Sequence, residues 1–210
     1  MKTYIFNQKY LKKQLDSYEQ KNIKSFGRKF QIIINWNRSL TESNLEKTKE
    51  EAIQGDFLYQ IFTNVLGYKN RIGSQEWNLQ QEQKTEMDNT KSDGALGFFS
   101  DNLNDPRVVI ELKDAKTDLD RKQNRVNSMS PVEQAFSYQY KNKNVKWVIV
   151  SNFKEIRLYN SNTSTEFEQF FIKNLAEDLE EFKKFYFLLH KDHLISKNGQ
   201  IGRASCRERV

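Results

Sequence analysis

The first third of the chain contains three segments in which apolar side chains recur at helical spacing. The clearest is a continuous apolar stripe over residues 53–66, and Gly67 follows it at the position where a helix ends. Two weaker stripes precede it, over residues 10–18 and 30–36. We therefore expect a helix in each of these three segments.

From about residue 76 the pattern changes to short runs of branched and aromatic residues, which predict β-strands. Five strands are expected, at residues 76–80, 93–99, 108–113, 146–150 and 155–159. A helix is expected over 131–140, since it begins with a proline, and another over about 175–194. The order of elements predicts an α/β fold, in which a small mixed sheet of about five strands is flanked by helices.

Composition narrows the class of protein. A chain of 210 residues can bury a sizeable core without disulfides or a structural metal, and its single cysteine offers no disulfide framework. No apolar run approaches the roughly 20 residues that span a bilayer, and the N-terminus lacks a secretory signal, so we expect a cytoplasmic protein. The formal net charge of +6 makes nucleic acid a plausible partner.

The last ten residues, 201–210, differ from the rest of the chain. They share neither its composition nor its apolar periodicity, and they look like the translation of a sequencing adapter. We expect a helical N-terminal extension at 1–42, a core at 43–172 and a helix at 173–200. The natural reading frame is expected to continue beyond about Gln200 into a downstream region.

One predicted strand contains candidate catalytic residues. Its side chains alternate between the two faces of the sheet, so Glu111 and Lys113 share a face. Asp93 begins the preceding strand, and an antiparallel hairpin would bring its carboxylate to Glu111. Mg²⁺ binds through one or two carboxylates and keeps several waters. A neighbouring lysine can orient an attacking water, which is typical of metal-assisted phosphodiester hydrolysis. If the tripeptide Glu111-Leu112-Lys113 is considered alone, the alternative is a salt bridge on an edge strand.

Four segments in order, KSDGALGFF, VVIELKDAKTDLD, QAFSYQY and KWVIVSNFKEIRLY, resemble the PD-(D/E)xK nuclease superfamily. Over roughly residues 30–195 the chain is similar to the N-terminal cleavage domain of type IIG restriction enzymes, in which nuclease and DNA methyltransferase share one polypeptide. The resemblance implies a restriction-endonuclease-like core, with Asp93 and Glu111 as metal ligands and Lys113 as the catalytic lysine. The proline that precedes the family's aspartate is Ser92 here.

The resemblance also implies functional residues on two helices. Glu50 lies seven residues before Phe57, where the family often places a metal-site glutamate. Glu51 is the competing choice, and a glutamate favoured by the helix dipole is the alternative to a ligand. Gln134 and Tyr138 fit a Q-x-x-x-Y pattern that in related nucleases packs beside the metal site and touches DNA. The alternative is a polar helix face with a half-buried tyrosine.

The segment after Lys113 is polar, and we expect a loop or a mobile lid at 117–130. Its four candidate DNA-binding cations are Lys116, Arg121, Lys122 and Arg125. Such residues contact phosphates without base preference. Three aspartates in the same loop reduce its net positive charge, so the alternative is a solvent-exposed loop that does not contact DNA.

These features predict a magnesium-dependent endodeoxyribonuclease domain of a restriction–modification protein. We expect it to be weak or inactive alone and without sequence specificity, because the chain contains no methyltransferase motif and no evident target-recognition region. The expected partners are double-stranded DNA, downstream methyltransferase and specificity domains, and a transient dimer for double-strand cleavage. S-adenosylmethionine is expected only in the missing downstream part.

Two other functions are compatible with the sequence. One is a non-catalytic DNA-binding or protein-docking module that keeps a nuclease-like fold. The other is a type I-like restriction subunit or a repair nuclease of the same superfamily. A methyltransferase Asn-Pro-Pro-Tyr motif downstream would select the type IIG class, and helicase motifs would select the type I-like class.

Overall fold

A computed structural model describes residues 4–42, 45–124 and 128–196. Its helices are α1 (Gln8–Ser17), α2 (Phe26–Glu42), α3 (Glu50–Phe57), α4 (Pro131–Gln139), α5 (Ile172–Glu177), α6 (Leu179–Leu189) and α7 (Lys191–Leu194). Its strands are β1 (Glu76–Lys84), β2 (Lys91–Ser100), β3 (Leu103–Leu112), β4 (Trp147–Ser151), β5 (Glu155–Asn160) and β6 (Phe167–Phe171). Within these ranges, no helix has the length and apolar character needed to cross a membrane.

The six described strands form one mixed sheet in the order β1-β2-β3-β4-β5-β6. Strands β3 and β4 run parallel, and all other neighbours are antiparallel. Helix α4 lies in the connection between β3 and β4, since a parallel pair needs a long crossover. The predicted α/β class with a mixed sheet is confirmed. Strand β6 was not predicted.

Helices cover both faces of this sheet. On one face, strand residues such as Ile110 and Leu158 join a large apolar cluster with α1, α2, α3, α5, α6 and α7. On the other face, Phe136 of α4 packs in a second cluster with Val148. Apolar residues from the predicted N-terminal extension belong to the large cluster, so the first helices and the sheet share one core.

The predicted third helix has two forms of hydrogen bonding. Helix α3 continues without a break as a π-helix, Leu58–Val65, whose apolar side chains are buried in the large cluster. Gly67 follows with a φ of 79°, a left-handed conformation that favours glycine at a helix end. The predicted stop at Gly67 is therefore confirmed.

The predicted last helix is divided into three. Asp178 separates α5 from α6, and His190 separates α6 from α7, each with an extended backbone. Each residue also caps the helix that follows it, since its side chain accepts hydrogen bonds from backbone N–H groups there. The apolar stripe alone could not show these two interruptions.

The pairing of β2 with β3 contains a β-bulge. Leu96 pairs with Val108, but Gly97 pairs with Pro106, so Arg107 is an extra residue on β3. A proline in an interior strand is tolerated at a bulge, because a bulge interrupts the hydrogen-bond ladder. Strand β3 consequently begins at Leu103, five residues earlier than the sequence predicted.

Candidate active site

Asp93 and Glu111 meet across the β2–β3 hairpin. Gly94 pairs with Ile110, and the same register places Asp93 opposite Glu111 on one face of the sheet. The Asp93 Oδ2 atom accepts a hydrogen bond of 2.7 Å from the backbone N–H of Leu112. Burial raises the pKa of Asp93, against the opposing effects of that N–H and of the charge of Lys113. The hairpin therefore places the two carboxyl groups at paired positions on one face of the sheet.

Glu111 is almost completely buried, with 1% of its side chain exposed. Its Oε1 atom accepts a hydrogen bond from Lys113 Nζ, whereas its Oε2 atom is buried without a hydrogen-bond partner in the described part of the chain. Burial, opposed by the charge of Lys113 and assisted by the charge of Asp93, raises the pKa of Glu111 to about 8. A buried carboxylate oxygen without a partner is unusual, and its lone pairs can accept a cation or a proton.

Lys113 is held by three oxygen atoms. Its Nζ atom donates to the Glu111 carboxylate, donates to the Leu112 carbonyl at 2.8 Å, and lies 3.9 Å from Glu50 Oε2. Burial lowers the pKa of Lys113, but the charge and hydrogen bond of Glu111 outweigh burial, and the pKa is raised. The lysine is therefore a fixed, charged group beside the two acids.

Helix α3 provides two further side chains. Glu50, its first residue, reaches Lys113, whereas Glu51 is exposed. Gln54, one turn after Glu50, donates from Nε2 to the Asp93 carbonyl at 3.1 Å. Glu50 was predicted as a site residue and Gln54 was not, because the bond of Gln54 to Asp93 joins elements that are distant in the chain.

The donor set fits a hard divalent cation. Among the described residues, no three acidic, histidine or cysteine side chains converge closely enough to form a complete metal cage. Mg²⁺ does not require one, because it binds through one or two carboxylates and retains water molecules. Asp93, together with the unpartnered oxygen of Glu111, offers that set.

Helix α4 approaches the same acids. Gln134 Nε2 donates to the Tyr138 hydroxyl at 3.0 Å, and Tyr138 is half-buried. Burial raises the pKa of Tyr138, the hydrogen bond from Gln134 lowers it, and the charges of Glu111 and Asp93 raise it. Tyr138 is therefore within electrostatic reach of the acids, with Gln134 orienting its hydroxyl.

Three of the four predicted DNA-binding cations lie in the described part of the chain. Lys116, Arg121 and Lys122 are exposed. None of them has an acidic partner among the described residues, so their charges are available to a ligand. Arg125 lies outside the described residues.

Residues 28–200 match the family model of the MmeI N-terminal domain. The chain belongs to the MmeI N-terminal domain family. The match spans every site residue described above, and membership confirms the predicted restriction–modification context and the N-terminal region of a type IIG restriction enzyme. No curated protein and no solved structure matches this MmeI-type chain significantly.

Proposed function

We propose that this domain is the magnesium-dependent DNA-cleaving part of a restriction–modification protein, and that it hydrolyses phosphodiester bonds. The observation that supports the proposal is the pairing of Asp93 with Glu111 across the β2–β3 hairpin beside Lys113, with one Glu111 oxygen unpartnered among the described residues. Asp93 and Glu111 would hold Mg²⁺. Glu50 is the candidate for a further ligand, because it reaches the same lysine.

Each group of this site would have a separate role in catalysis. Mg²⁺, when bound, supplies positive charge that stabilises the oxygen leaving the phosphorus. The Lys113 ammonium orients the attacking water and stabilises negative charge that develops on the phosphate. Because Glu111 and Glu50 fix the Lys113 side chain, little orientation remains to be achieved during the reaction. Gln54 holds the backbone of Asp93 in place.

The substrate is double-stranded DNA bound through its backbone. Lys116, Arg121 and Lys122 would contact phosphates, and we propose the same role for Arg125. Phosphate contacts carry no sequence information, so this domain would lack specificity of its own. Target recognition, and methylation with S-adenosylmethionine, would belong to downstream domains. Double-strand cleavage would use a transient dimer.

A plasmid-nicking assay on the complete chain tests this function. With Mg²⁺, we expect slow nicking that falls by at least about 100-fold in Glu111→Gln, Asp93→Asn and Lys113→Met, since each removes charge from the transition state. The matched control is Glu51→Gln, which removes an exposed carboxylate beside the site and should nick like wild type. Melting curves check that each variant is folded.

The outcomes separate the candidate functions. Nicking at the wild-type rate in Glu111→Gln would remove the assignment of this site. A wild-type chain that binds duplex DNA and neither nicks it nor binds Mg²⁺ would favour the non-catalytic module. Isothermal titration calorimetry with Mg²⁺ alone distinguishes that case from a competent site whose cleavage is slow without the downstream domains.

A further inference from the structure

The segment that follows Lys113 crosses the end of the sheet from one face to the other. Ala115 is fully buried in the large cluster, whereas Leu119 is fully buried in the cluster around α4. Lys116 is exposed between these two buried residues. We call residues 114–122 the basic loop, after its three exposed cations, whose charge is balanced by three aspartates of the same segment. The sequence allowed a mobile lid here, but the core holds the basic loop at two points.

The turn between β4 and β5 holds the first half of the basic loop. Asn152 is buried in that turn and donates from Nδ2 to the Thr117 carbonyl at 2.9 Å. Its Oδ1 atom accepts from the backbone N–H of Glu155 at 3.0 Å, which fixes the orientation of the side chain. The carbonyl of Ser151, the last residue of β4, accepts from the backbone N–H of Lys113 at 2.9 Å. Two consecutive residues, Ser151 and Asn152, therefore position Lys113 and Thr117.

An ion pair with β5 holds the second half. Arg157 Nη1 donates to Asp120 Oδ1 at 2.8 Å, and 8% of the Arg157 side chain is exposed. Two other guanidinium nitrogens donate to the two oxygens of Glu155, each at 3.1 Å. The guanidinium also lies 4.9 Å from the centre of the Phe167 ring. Asp120 is thus attached to a cation that other contacts already immobilise.

We infer that Asp120 is a positioning residue that, by pairing with Arg157, holds the basic loop as a preformed binding surface for DNA phosphates beside Lys113. This inference rests on the proposed function. Two of the three exposed cations are next to a fixed residue, since Lys116 precedes Thr117 and Arg121 follows Asp120, and Lys122 comes one residue later. A preformed surface binds without the entropic cost of ordering a loop.

Two variants of the same loop separate positioning from charge. Asp120→Asn and Asp118→Asn each remove one negative charge, so charge alone predicts tighter DNA binding in both. Asp118 Oδ1 accepts the Asp120 backbone N–H at 2.9 Å, and an asparagine oxygen can keep that bond. We expect binding to weaken about fivefold in Asp120→Asn and not in Asp118→Asn, because only the former loosens the loop.

The measurement is the Kd of the complete chain for a short duplex oligonucleotide of arbitrary sequence, with Ca²⁺ in place of Mg²⁺. Asp120→Glu, which keeps the charge that pairs with Arg157, should bind like wild type. Binding in Asp120→Asn that equals or exceeds that of Asp118→Asn would overturn the positioning role. Mg²⁺ affinity should be the same in all variants, since the ion pair lies outside the acid pair.

Limited trypsin digestion without DNA gives an independent measurement. Trypsin cleaves after Lys116, Arg121 and Lys122, and local opening of the loop controls the rate. Faster cleavage there in Asp120→Asn than in Asp118→Asn supports the inference, and equal rates overturn it. A wild-type chain that fails to bind DNA would refute the proposed function, while unequal tryptic rates would still show that Asp120 fixes the loop.

Discussion

Glu111 is the residue at which function and stability conflict most clearly. Its carboxyl group is buried to 1% exposure, and one of its oxygens has no hydrogen-bond partner among the described residues. Burial raises the pKa of Glu111 to about 8, even though Lys113 opposes the shift. A buried, strongly perturbed group in a cluster of charges is typical of functional sites. The acid is therefore a cost to the metal-free fold that a bound cation would offset.

This conflict predicts that Glu111→Gln stabilises the metal-free protein. Because the folded pKa of about 8 exceeds the value of 4.5 for a solvated glutamate, the folded state holds this proton more tightly than the unfolded chain. That stabilisation is complete below pH 4.5 and is lost as the pH rises through 8. Glutamine does not ionise, so the Tm at pH 9 in EDTA should rise by a few degrees, with little change at pH 4.5.

Controls for this prediction use the same melting curves. Glu51→Gln removes an exposed carboxylate and should leave the Tm unchanged at both pH values. Mg²⁺ should raise the Tm of the wild type at pH 9 and not that of Glu111→Gln. A lower Tm for Glu111→Gln at pH 9 would show that the ion pair with Lys113 outweighs burial.

Glu50 and Glu51 form a matched pair for a second prediction. Glu50 reaches Lys113 Nζ at 3.9 Å, whereas Glu51 is exposed. Calorimetry should show Mg²⁺ affinity reduced about fivefold in Glu50→Gln, since a carboxylate near the cation is lost, and unchanged in Glu51→Gln. Equal Mg²⁺ affinities in the two variants would show that Glu50 contacts Lys113 and does not bind the cation.

Residues that share a strand or a hairpin were predictable from the sequence. Alternation along β3 places Glu111 and Lys113 on one face, and the neighbouring strand contributes Asp93. Gln54 and Asn152 were not predictable, because their contacts join elements that are distant in the chain. Such contacts depend on how the elements pack, and no local pattern encodes that.

At the scale of elements, the bulge in β2–β3 depends on Gly97. A Cβ atom at this position would lie 2.2 Å from the Asp105 carbonyl oxygen and 2.9 Å from Pro106 Cα. Both are backbone atoms, so relief requires the strands to move apart. Gly97→Ala should therefore destabilise the protein by roughly 2 kcal/mol or more, measured by chemical denaturation.

A second glycine provides the control for this prediction. Gly55 lies in α3, and a Cβ atom there would have no atom within 4 Å. Gly55→Ala should stabilise the protein by up to about 1 kcal/mol, because alanine favours the helix. A Gly97→Ala variant as stable as Gly55→Ala would show that the bulge tolerates a side chain.

Strand β6 shows why an element escaped prediction from the sequence. A half-buried strand normally alternates apolar and polar residues, with the apolar ones buried. In β6, Glu168 is fully buried and its Oε2 atom lies 2.8 Å from Lys184 Nζ of α6, while Phe171 is 42% exposed. The charge is buried because a partner on another element reaches it, and the sequence pattern of β6 does not contain that partner.

At the scale of the whole molecule, His190 joins the C-terminal helices to the rest of the core. Its ring stacks on Tyr186 at 4.7 Å, and the next backbone N–H donates to the Leu66 carbonyl at 3.2 Å. Burial lowers the pKa of His190 to about 4, with Lys29 among the nearby cations that lower it and Asp192 opposing. A neutral His190 is therefore part of the folded state.

Acid should weaken the whole fold through His190. Because its folded pKa of about 4 is below the value of 6.5 for a solvated histidine, the unfolded chain binds more protons, and stability falls as the pH drops from 6.5 to 4. His190→Gln should lessen this fall by roughly 1 to 3 kcal/mol in urea denaturation. His193→Gln is the control, and an identical fall in the two variants would contradict the prediction.

The packing of the N-terminal helices also appears only at this scale. Their apolar stripes predicted correctly that α1 and α2 bury one face, but a stripe does not identify its partner. Trp36 of α2 donates from Nε1 to the Phe153 carbonyl at 3.1 Å and stacks at a tilt on Phe57. Helix α2 therefore supports the β4–β5 turn, next to the Ser151 carbonyl that binds the Lys113 backbone, which the predicted domain boundaries did not indicate.

Arg107 also decides where the acid pair is sensitive to chain length. As the extra residue of the bulge, it lies between the Gly97–Pro106 pair and the Leu96–Val108 pair, so its deletion would join the two sets of pairs and leave Asp93 opposite Glu111. A one-residue deletion or insertion between Val108 and Glu111 would instead bring Asp93 opposite a neighbour of Glu111. Neighbouring strand residues point to opposite faces, so that change would part the carboxylates without altering either. Evolution by gain or loss of codons is thus open at the bulge and closed in the few residues between the bulge and the acids.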